Sequence, residues 1–241
     1  MGQTATEQVP WQTQGEAKRA AVQRMFAAIA PTYDLMNALL SGQLHHRWRR
    51  AAVQTLQLRP GQSALDVCCG TGDFLTALRR IVGPHGPLMG VDFCAPMLDR
   101  ARPKPHGATL ALGDAGALPV AEAGFDAVTV GWGIRNVPDI DAAHRELFRV
   151  LKPGGRFASV DMAIPRQLWM RRLSTLMFTR IAPRLGSIVG HTEAYTYLPE
   201  STQTFLDREG LRESMVRAGF TEVIYRDFVF GNVCLHTGRK P

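Results

Sequence analysis

Two glycines and a spaced series of acids are the first chemistry this sequence offers. Asp66-Val67-Cys68-Cys69-Gly70-Thr71-Gly72-Asp73 forms a glycine-rich turn after a short apolar run. Glycine at such a turn lets the backbone approach a ligand that a Cβ would exclude. A dinucleotide fingerprint would place a third glycine at position 75, which is Leu75, and the Gly-Lys-Ser/Thr of a phosphate loop is missing. The turn therefore suits a ligand without a pyrophosphate. Asp92 closes the next apolar run and is placed to accept the hydroxyls of a ribose. Gly113-Asp114-Ala115 follows a third run. Its Asp can bond the exocyclic amine of an adenine or equally cap a turn or helix. Together they predict a nucleoside-bearing ligand held by Asp66, Gly70, Thr71, Gly72, Asp92, Asp114 and Ala115.

These residues need a scaffold that brings strand ends together. From residue 63 onward short apolar runs alternate with helical patterns, the mark of βαβ units and a parallel sheet. Strands are expected at Ser63 to Cys68, Pro87 to Asp92, Thr109 to Gly113, Phe125 to Gly131 and Arg156 to Asp161, all five parallel and buried. Helices are expected near Asp73 to Val82, Ala95 to Arg102 and Ile140 to Leu151, the last closed by Lys152-Pro153-Gly154-Gly155. Ala17 to Ala28 and His46 to Leu56 predict an N-terminal helical cap, joined through Ala30 to Asn37. Arg166 to Gly190 carries five arginines and no acid, with Trp169, Leu173, Leu176 and Met177 at helical spacing, and reads as a basic amphipathic helix. A helix near Ser201 to Ala218 and a strand pair, Thr221 to Phe228 and Asn232 to His236, complete the chain. Residues 1–21 are expected to form a flexible lead-in and 22–241 a single domain.

Composition bounds the function. In 241 residues, 28 Lys and Arg stand against 21 Asp and Glu, a net charge of +7 that suits an anionic partner without choosing one. Apolar runs fall far short of the roughly 20 residues that span a bilayer. Four cysteines, two of them adjacent, fit neither a disulfide framework nor a paired C-x-x-C zinc site, so a reducing cytoplasm is the expected compartment. Nucleic acid has no support beyond charge: the Asn/Asp-Pro-Pro-Tyr tetrad of amino-group methylation and an aromatic-basic sheet segment are both missing.

The glycine turn, the ribose acid and the adenine acid recur in this order in S-adenosylmethionine-dependent class I methyltransferases, which this chain resembles. A narrower resemblance is carried by Tyr33-Asp34-Leu35-Met36-Asn37, His45 to Trp48, Gly131-Trp132-Gly133-Ile134-Arg135-Asn136-Val137, Arg149 to Gly155 and Tyr195-Thr196-Tyr197-Leu198-Pro199-Glu200-Ser201. These stretches are similar to the ubiquinone/menaquinone C-methyltransferase family, from about residue 22 to the end. The resemblance implies a doubly wound, seven-stranded, mostly parallel sheet. It implies S-adenosylmethionine as donor and methylation of demethylmenaquinol to menaquinol. Ring methylation of a methoxylated benzoquinol in ubiquinone synthesis is the enzyme alternative, and a non-catalytic cofactor-binding or interaction module the alternative of another class. Trp132 and Ile134 stand where the family more often has Phe and Leu, and Asp161-Met162-Ala163 where a Glu-Phe-Ser-like stretch is common. Both departures touch pocket shape rather than the cofactor loop.

Moving a methyl group from a sulfonium to an aromatic carbon is an in-line displacement. The ring carbon must be held about 3 Å from the methyl and water kept out. A quinol becomes nucleophilic at carbon when a hydroxyl loses its proton, so a base or a cation for the oxyanion is the second need. Arg135 and Asn136 are the expected catalytic pair. Tyr33, Asp34, His45, Trp132 and Tyr195 are expected to close over the substrate. A polyprenyl tail needs an apolar entrance, which Arg166 to Gly190 could supply as a lid or as a contact with an anionic membrane surface. No metal is implied, because the donor is already activated.

Overall fold

The computed structural model describes residues 15–181, 184 and 192–241. At its centre β1 (Ala64–Val67) is buried at all four positions, as a strand covered on both faces must be. It pairs in parallel with β2 (Leu88–Asp92) on one side and β4 (Phe125–Gly131) on the other. Outside these lie β3 (Thr109–Leu112) and β5 (Leu151–Met162), and β7 (Val233–Arg239) runs antiparallel between β5 and β6 (Thr221–Phe228). The order β3-β2-β1-β4-β5-β7-β6 is the expected seven-stranded doubly wound sheet. The chain steps outward from β1 to β3, then returns to place β4 on the far side of β1. That reversal opens a crevice at the carboxyl ends of β1 and β4, where ligands bind in such sheets.

Helices cover both faces. On one, α3 (Leu44–Thr55) and α4 (Asp73–Val82) bring Ala52, Val53, Leu75 and Leu78 onto Ala64, Ala127 and Ala158. On the other, α6 (Ile140–Val150) and α9 (Arg208–Arg217) bring Leu147, Leu211 and Met215 onto Leu65, Val128 and Phe157. Each such side chain stabilises the fold by about 1.5–3 kcal/mol relative to exposure. Both α6 and α9 start on an aspartate N-cap: Asp139 accepts from Ala142 N–H and Asp207 from Gly210 N–H, each at 2.8 Å. The cap is a third cluster. Val22, Met25 and Ile29 of α1 (Gly15–Ile29) and Met36 of α2 (Tyr33–Ser41) pack with Met97 of α5 (Ala95–Ala101) and Tyr197 of α8 (Thr192–Gln203).

Several elements differ from the sequence expectation. Helix α1 reaches back to Gly15, inside the stretch read as a lead-in. The join between the cap helices is itself helical: Pro31 interrupts the first helix, and the chain re-forms α2 from Tyr33. Strand β3 is parallel but not buried, because it is the sheet edge, and Thr109 and Leu112 are exposed. Lys152 to Gly155 is not a loop after α6. It belongs to β5 as an irregular segment, the pairing passing from Phe125↔Leu151 to Ala127↔Arg156. The expected helix from Ser201 is two helices, α8 and α9, separated ahead of the Asp207 cap. The basic amphipathic segment forms α7 (Leu168–Leu176) and a wider π turn, Met177–Ile181. Its remainder, apart from Arg184, falls outside the described residues.

Candidate active site

A cavity opens at the strand ends, walled by Gly70, Asp92, Phe93, Asp114, Trp132 and Asn136 among others. Gly70 has φ +53° and nothing within 4 Å of where a Cβ would stand, so its backbone is open to a ligand. Asp92 accepts the Gly70 N–H at 2.7 Å and the Cys94 N–H at 2.9 Å. Burial nonetheless pushes its carboxyl up to about 6, a sign that hydroxyl donors are still wanted there. Asp114 accepts from Gly116 N–H at 2.6 Å, which is the turn-capping role, and pairs with Arg19 of α1 at 3.2 Å. It also lines the cavity together with Ala115, so the two readings of this residue coexist. Phe93, Met97 and Val137 supply apolar walls between the two acids. This combination fits an adenosine moiety: two carboxylates for its polar edges, apolar surface for its base and an open backbone beside it.

The other expected cofactor residues act on the loop rather than on its contents. Asp66 lies beneath the turn, takes a hydrogen bond from Thr129 at 2.6 Å, and is pushed by burial up to about 8. Thr71 is buried and donates to Asp34 at 2.5 Å. Gly72, at φ +83°, turns the chain into α4. Two non-glycine residues at the crevice also sit in the left-handed region, Cys68 at φ 56° and Trp132 at φ 55°. Each such conformation costs about 1–3 kcal/mol. Trp132 has glycines on either side because a Cβ on Gly131 would meet the Phe74 ring at 2.5 Å and one on Gly133 would strike Cys68.

A second, larger cavity of about 480 Å³ adjoins the first, with Phe26, Tyr33 and Trp132 in the walls of both. Its surface is mostly apolar, from Met25, Leu40, Trp48, Met170, Leu173 and Val229 among others. The 3-10 turn Ile134–Asn136 stands at the junction: Arg135 faces the larger cavity and Asn136 the smaller. The Arg135 Nη1 donates to Asp161 at 2.5 Å and to the Trp132 carbonyl at 2.8 Å, while its buried Nε has no partner among the described residues. Burial works against the guanidinium charge, but Asp161, Tyr197 and Tyr33 outweigh it and raise its pKa. Asn136 accepts the Tyr197 hydroxyl at 2.8 Å and donates to the Trp132 carbonyl at 3.2 Å.

The remaining expected residues divide. Tyr33 is half-buried in the walls of both cavities, and desolvation raises its hydroxyl pKa. His45 lines the larger cavity; burial, then Arg49 and His46, lower it to about 4, so it is neutral near pH 7. The Ser41 hydroxyl beside His45 Nδ1 gives its own hydrogen to the Asn37 carbonyl. That network assigns the ring hydrogen to Nδ1 and leaves Nε2 as an acceptor. Asp34 turns instead to the glycine loop, where it holds Thr71 and, at 2.8 Å, Lys104. Tyr195 is on α8, and its side chain lies outside the described residues.

Sequence reasoning passed over Arg49, Arg19, Phe93, Met97 and Tyr197. Arg49 had a legible signal, since it follows His45 by four residues and so shares its helix face. Tyr197 stood in a quoted stretch two residues beyond Tyr195, and its burial in the cap, at 2% exposure, decides which tyrosine reaches Asn136.

Residues 12–240 match the model of the ubiE/COQ5 methyltransferase family. The chain belongs to this family. It is 40% identical over 234 residues to a demethylmenaquinone methyltransferase of Desulfitobacterium hafniense, covering 94% of this chain and 92% of that one. A demethylmenaquinone methyltransferase of Shouchella clausii is 38% identical, covering 94% and 99%. Among solved structures, a SAM-dependent methyltransferase from Thermotoga maritima superposes with a TM-score of 0.66 at 20% identity, covering 91% of this chain and 99% of that one. Another from Aquifex aeolicus gives 0.62 at 17%, covering 86% and 96%. At those identities the structures speak for the fold, and the sequence relatives carry the family. The chain is thus a methyltransferase of the ubiE/COQ5 family.

Proposed function

We propose that this methyltransferase transfers a methyl group from S-adenosylmethionine to the ring carbon of demethylmenaquinol, yielding menaquinol. The observation that carries the reading is the pair of adjoining cavities, one edged by Asp92 and Asp114, one larger and apolar, meeting at Tyr33, Trp132 and the Arg135-Asn136 turn. The matched relatives named for demethylmenaquinone favour the two-ring substrate over the benzoquinol.

When bound, S-adenosylmethionine supplies a methyl group on a cationic sulfur, with Asp92, Asp114, Ala115 and the backbone at Gly70 as its holders. The protein's residues do the rest. Trp132 and Tyr33, half-buried and shared by both cavities, narrow the junction against water. His45, held neutral in the wall of the larger cavity, can take a hydrogen bond from the quinol hydroxyl, whose proton is given up to solvent as the oxyanion forms. The Arg135 Nε, buried and unspent, stabilises the oxyanion that loads electron density onto the neighbouring ring carbon. Asn136, fixed by Tyr197, positions the junction. Among the described residues no cluster of three His, Cys, Asp or Glu side chains could hold a metal ion.

The tail leaves through the open rim of the larger cavity. There Leu173, Met177, Val229 and Phe230 are exposed, and Trp169 stacks edge-on to Phe230 at 5.7 Å. Arg171 and Arg172 lie on the same helix, so the rim suits contact with an anionic membrane surface. Among the described residues no helix is long and apolar enough to cross a membrane. The test is transfer of labelled methyl from S-adenosylmethionine to chemically reduced demethylmenaquinone and, in parallel, to the demethylated ubiquinone precursor, with products identified by mass. Labelled menaquinol is expected. Label on the benzoquinol alone overturns the substrate, and binding of the donor without transfer to either overturns the reading. Running the assay on vesicles with and without anionic lipid reads the membrane contact, which fails if neither the lipid nor Arg171→Ala with Arg172→Ala changes the rate.

A further inference from the structure

A second buried guanidinium stands in the substrate cavity. Arg49 of α3 is 6% exposed and lines the larger cavity. Its plane rides over the Trp132 ring at 4.9 Å and near the Phe74 ring at 5.8 Å, which fixes its orientation without consuming an N–H. Its one acidic neighbour is Asp73, 3.1 Å from Nη1 but outside hydrogen-bonding alignment, so Nη1 is buried without a hydrogen-bond partner among the described residues. Asp73 directs its other oxygen to Lys104 at 2.6 Å. Arg135, by contrast, is tied to Asp161. An unsatisfied buried N–H is costly, so native structures keep few of them.

The two arginines come from different elements, α3 and the turn after β4, yet both line the larger cavity together with Tyr33. A 1,4-quinol carries two aryl oxygens at opposite ends of its ring. One neighbours the carbon that takes the methyl group, and the other has no chemical role in that step. We propose that Arg49 donates to this second quinol oxygen and so fixes the ring's rotation, with the carbon beside the first oxygen turned to the donor. This rests on the quinol reading above and makes Arg49 the residue that selects a diol over a mono-phenol.

The test crosses a protein change with a substrate change. The wild type and Arg49→Met are assayed with labelled S-adenosylmethionine on a 1,4-naphthalenediol bearing a short prenyl group. The same pair is assayed on the 3-prenyl-1-naphthol that lacks only the second hydroxyl. The wild type is expected to prefer the diol about 10- to 100-fold in kcat/KM, the usual range for a hydrogen bond to a charged group. In Arg49→Met the preference should fall to about unity. Arg49→Lys, which keeps a cation but loses the stacked fork, should recover part of it, and serves if the Met variant does not fold. A diol preference that survives in Arg49→Met or is absent from the wild type overturns the inference while leaving the quinol reading intact. A purely structural role for Arg49 would lower both substrates alike and likewise overturn it. A wild type that methylates neither compound overturns the quinol reading and this inference with it.

Discussion

The carboxylates at the two ends of the sheet live under opposite rules. At the amino end, Asp126 in β4 accepts from the Ser63 hydroxyl at 2.6 Å, the Ser63 N–H at 2.8 Å and the Lys152 ammonium at 2.8 Å. Burial pulls upward, but Lys152 and Ser63 win and hold it down at about 2. At the carboxyl end, Asp92 and Asp66 are pushed by burial up to about 6 and about 8. The lower acid has its partners within the fold. The upper ones accept only neutral donors, Thr129 on Asp66 and backbone N–H groups on Asp92, with no cation paired to either among the described residues, and Asp92 faces a cavity. Site and stability are therefore built at opposite edges of one sheet.

Asp161 offers the hardest test of that division, because it is at the upper end and yet paired. It is 4% exposed and binds both the side chain and backbone N–H of Arg135. Asp161→Asn would leave the Arg135 charge buried without its counter-ion, a loss typically costing about 3–5 kcal/mol. Stability in denaturant and turnover are both expected to fall, turnover by at least ten-fold on the order of a misplaced catalytic group. An Asn variant as stable as the wild type would mean that Arg135 finds its support elsewhere.

Asp92 should behave differently. Its amide analogue, Asp92→Asn, removes a charge whose burial outweighs the backbone N–H groups that bond it, so the melting temperature should hold or rise. Affinity for S-adenosylmethionine should fall by about 10- to 100-fold, the worth of charged hydrogen bonds to hydroxyls. Calorimetric titration beside a thermal melt separates the two effects. A variant that loses stability while keeping donor affinity would place Asp92 with the structural acids.

How much of this was legible follows from which forces act locally. Strand runs, the glycine turn and the acids at strand ends are local patterns, and they placed β1, β2, β4 and the residues Gly70, Asp92 and Asp114 that wall one crevice closely. What periodicity could not convey was context. The Thr109 run looks like any buried strand, and only its place at the sheet edge exposes Leu112. Lys152-Pro153-Gly154-Gly155 carries every sign of a helix stop, yet Leu151 pairs with Phe125 and draws the segment into β5. Asp34 shares a motif with Tyr33, but adjacent residues on a helix point apart. One tyrosine-sized step separates the cavity from the Thr71 and Lys104 contacts. Arg135 and Asn136 could be located by their position after β4, whereas their partners Asp161 and Tyr197 arrive from distant parts of the chain.

The smallest expected effect sits at the amino end and has a sign that pH reveals. Asp126→Asn should leave donor affinity and turnover unchanged. It should lower stability by about 1 kcal/mol, since Lys152 is partly exposed and solvent screens the pair. Because folding lowers the Asp126 pKa from 3.8 to about 2, its contribution is present above about pH 4 and lost as pH falls toward 2. The wild type and Asp126→Asn should thus differ by a few degrees from pH 5 to 8 and converge in acid. Asp92 runs the other way. Its folded value lies above 3.8, so its protonated form favours folding below about pH 4, and that contribution drains away as pH rises through about 6. Melts of Asp92→Asn should match the wild type in acid and gain on it toward neutrality. Two curves diverging from the wild type in opposite directions as pH rises would confirm that the ends of the sheet obey opposite rules. Curves moving together would make the difference between them one of burial alone.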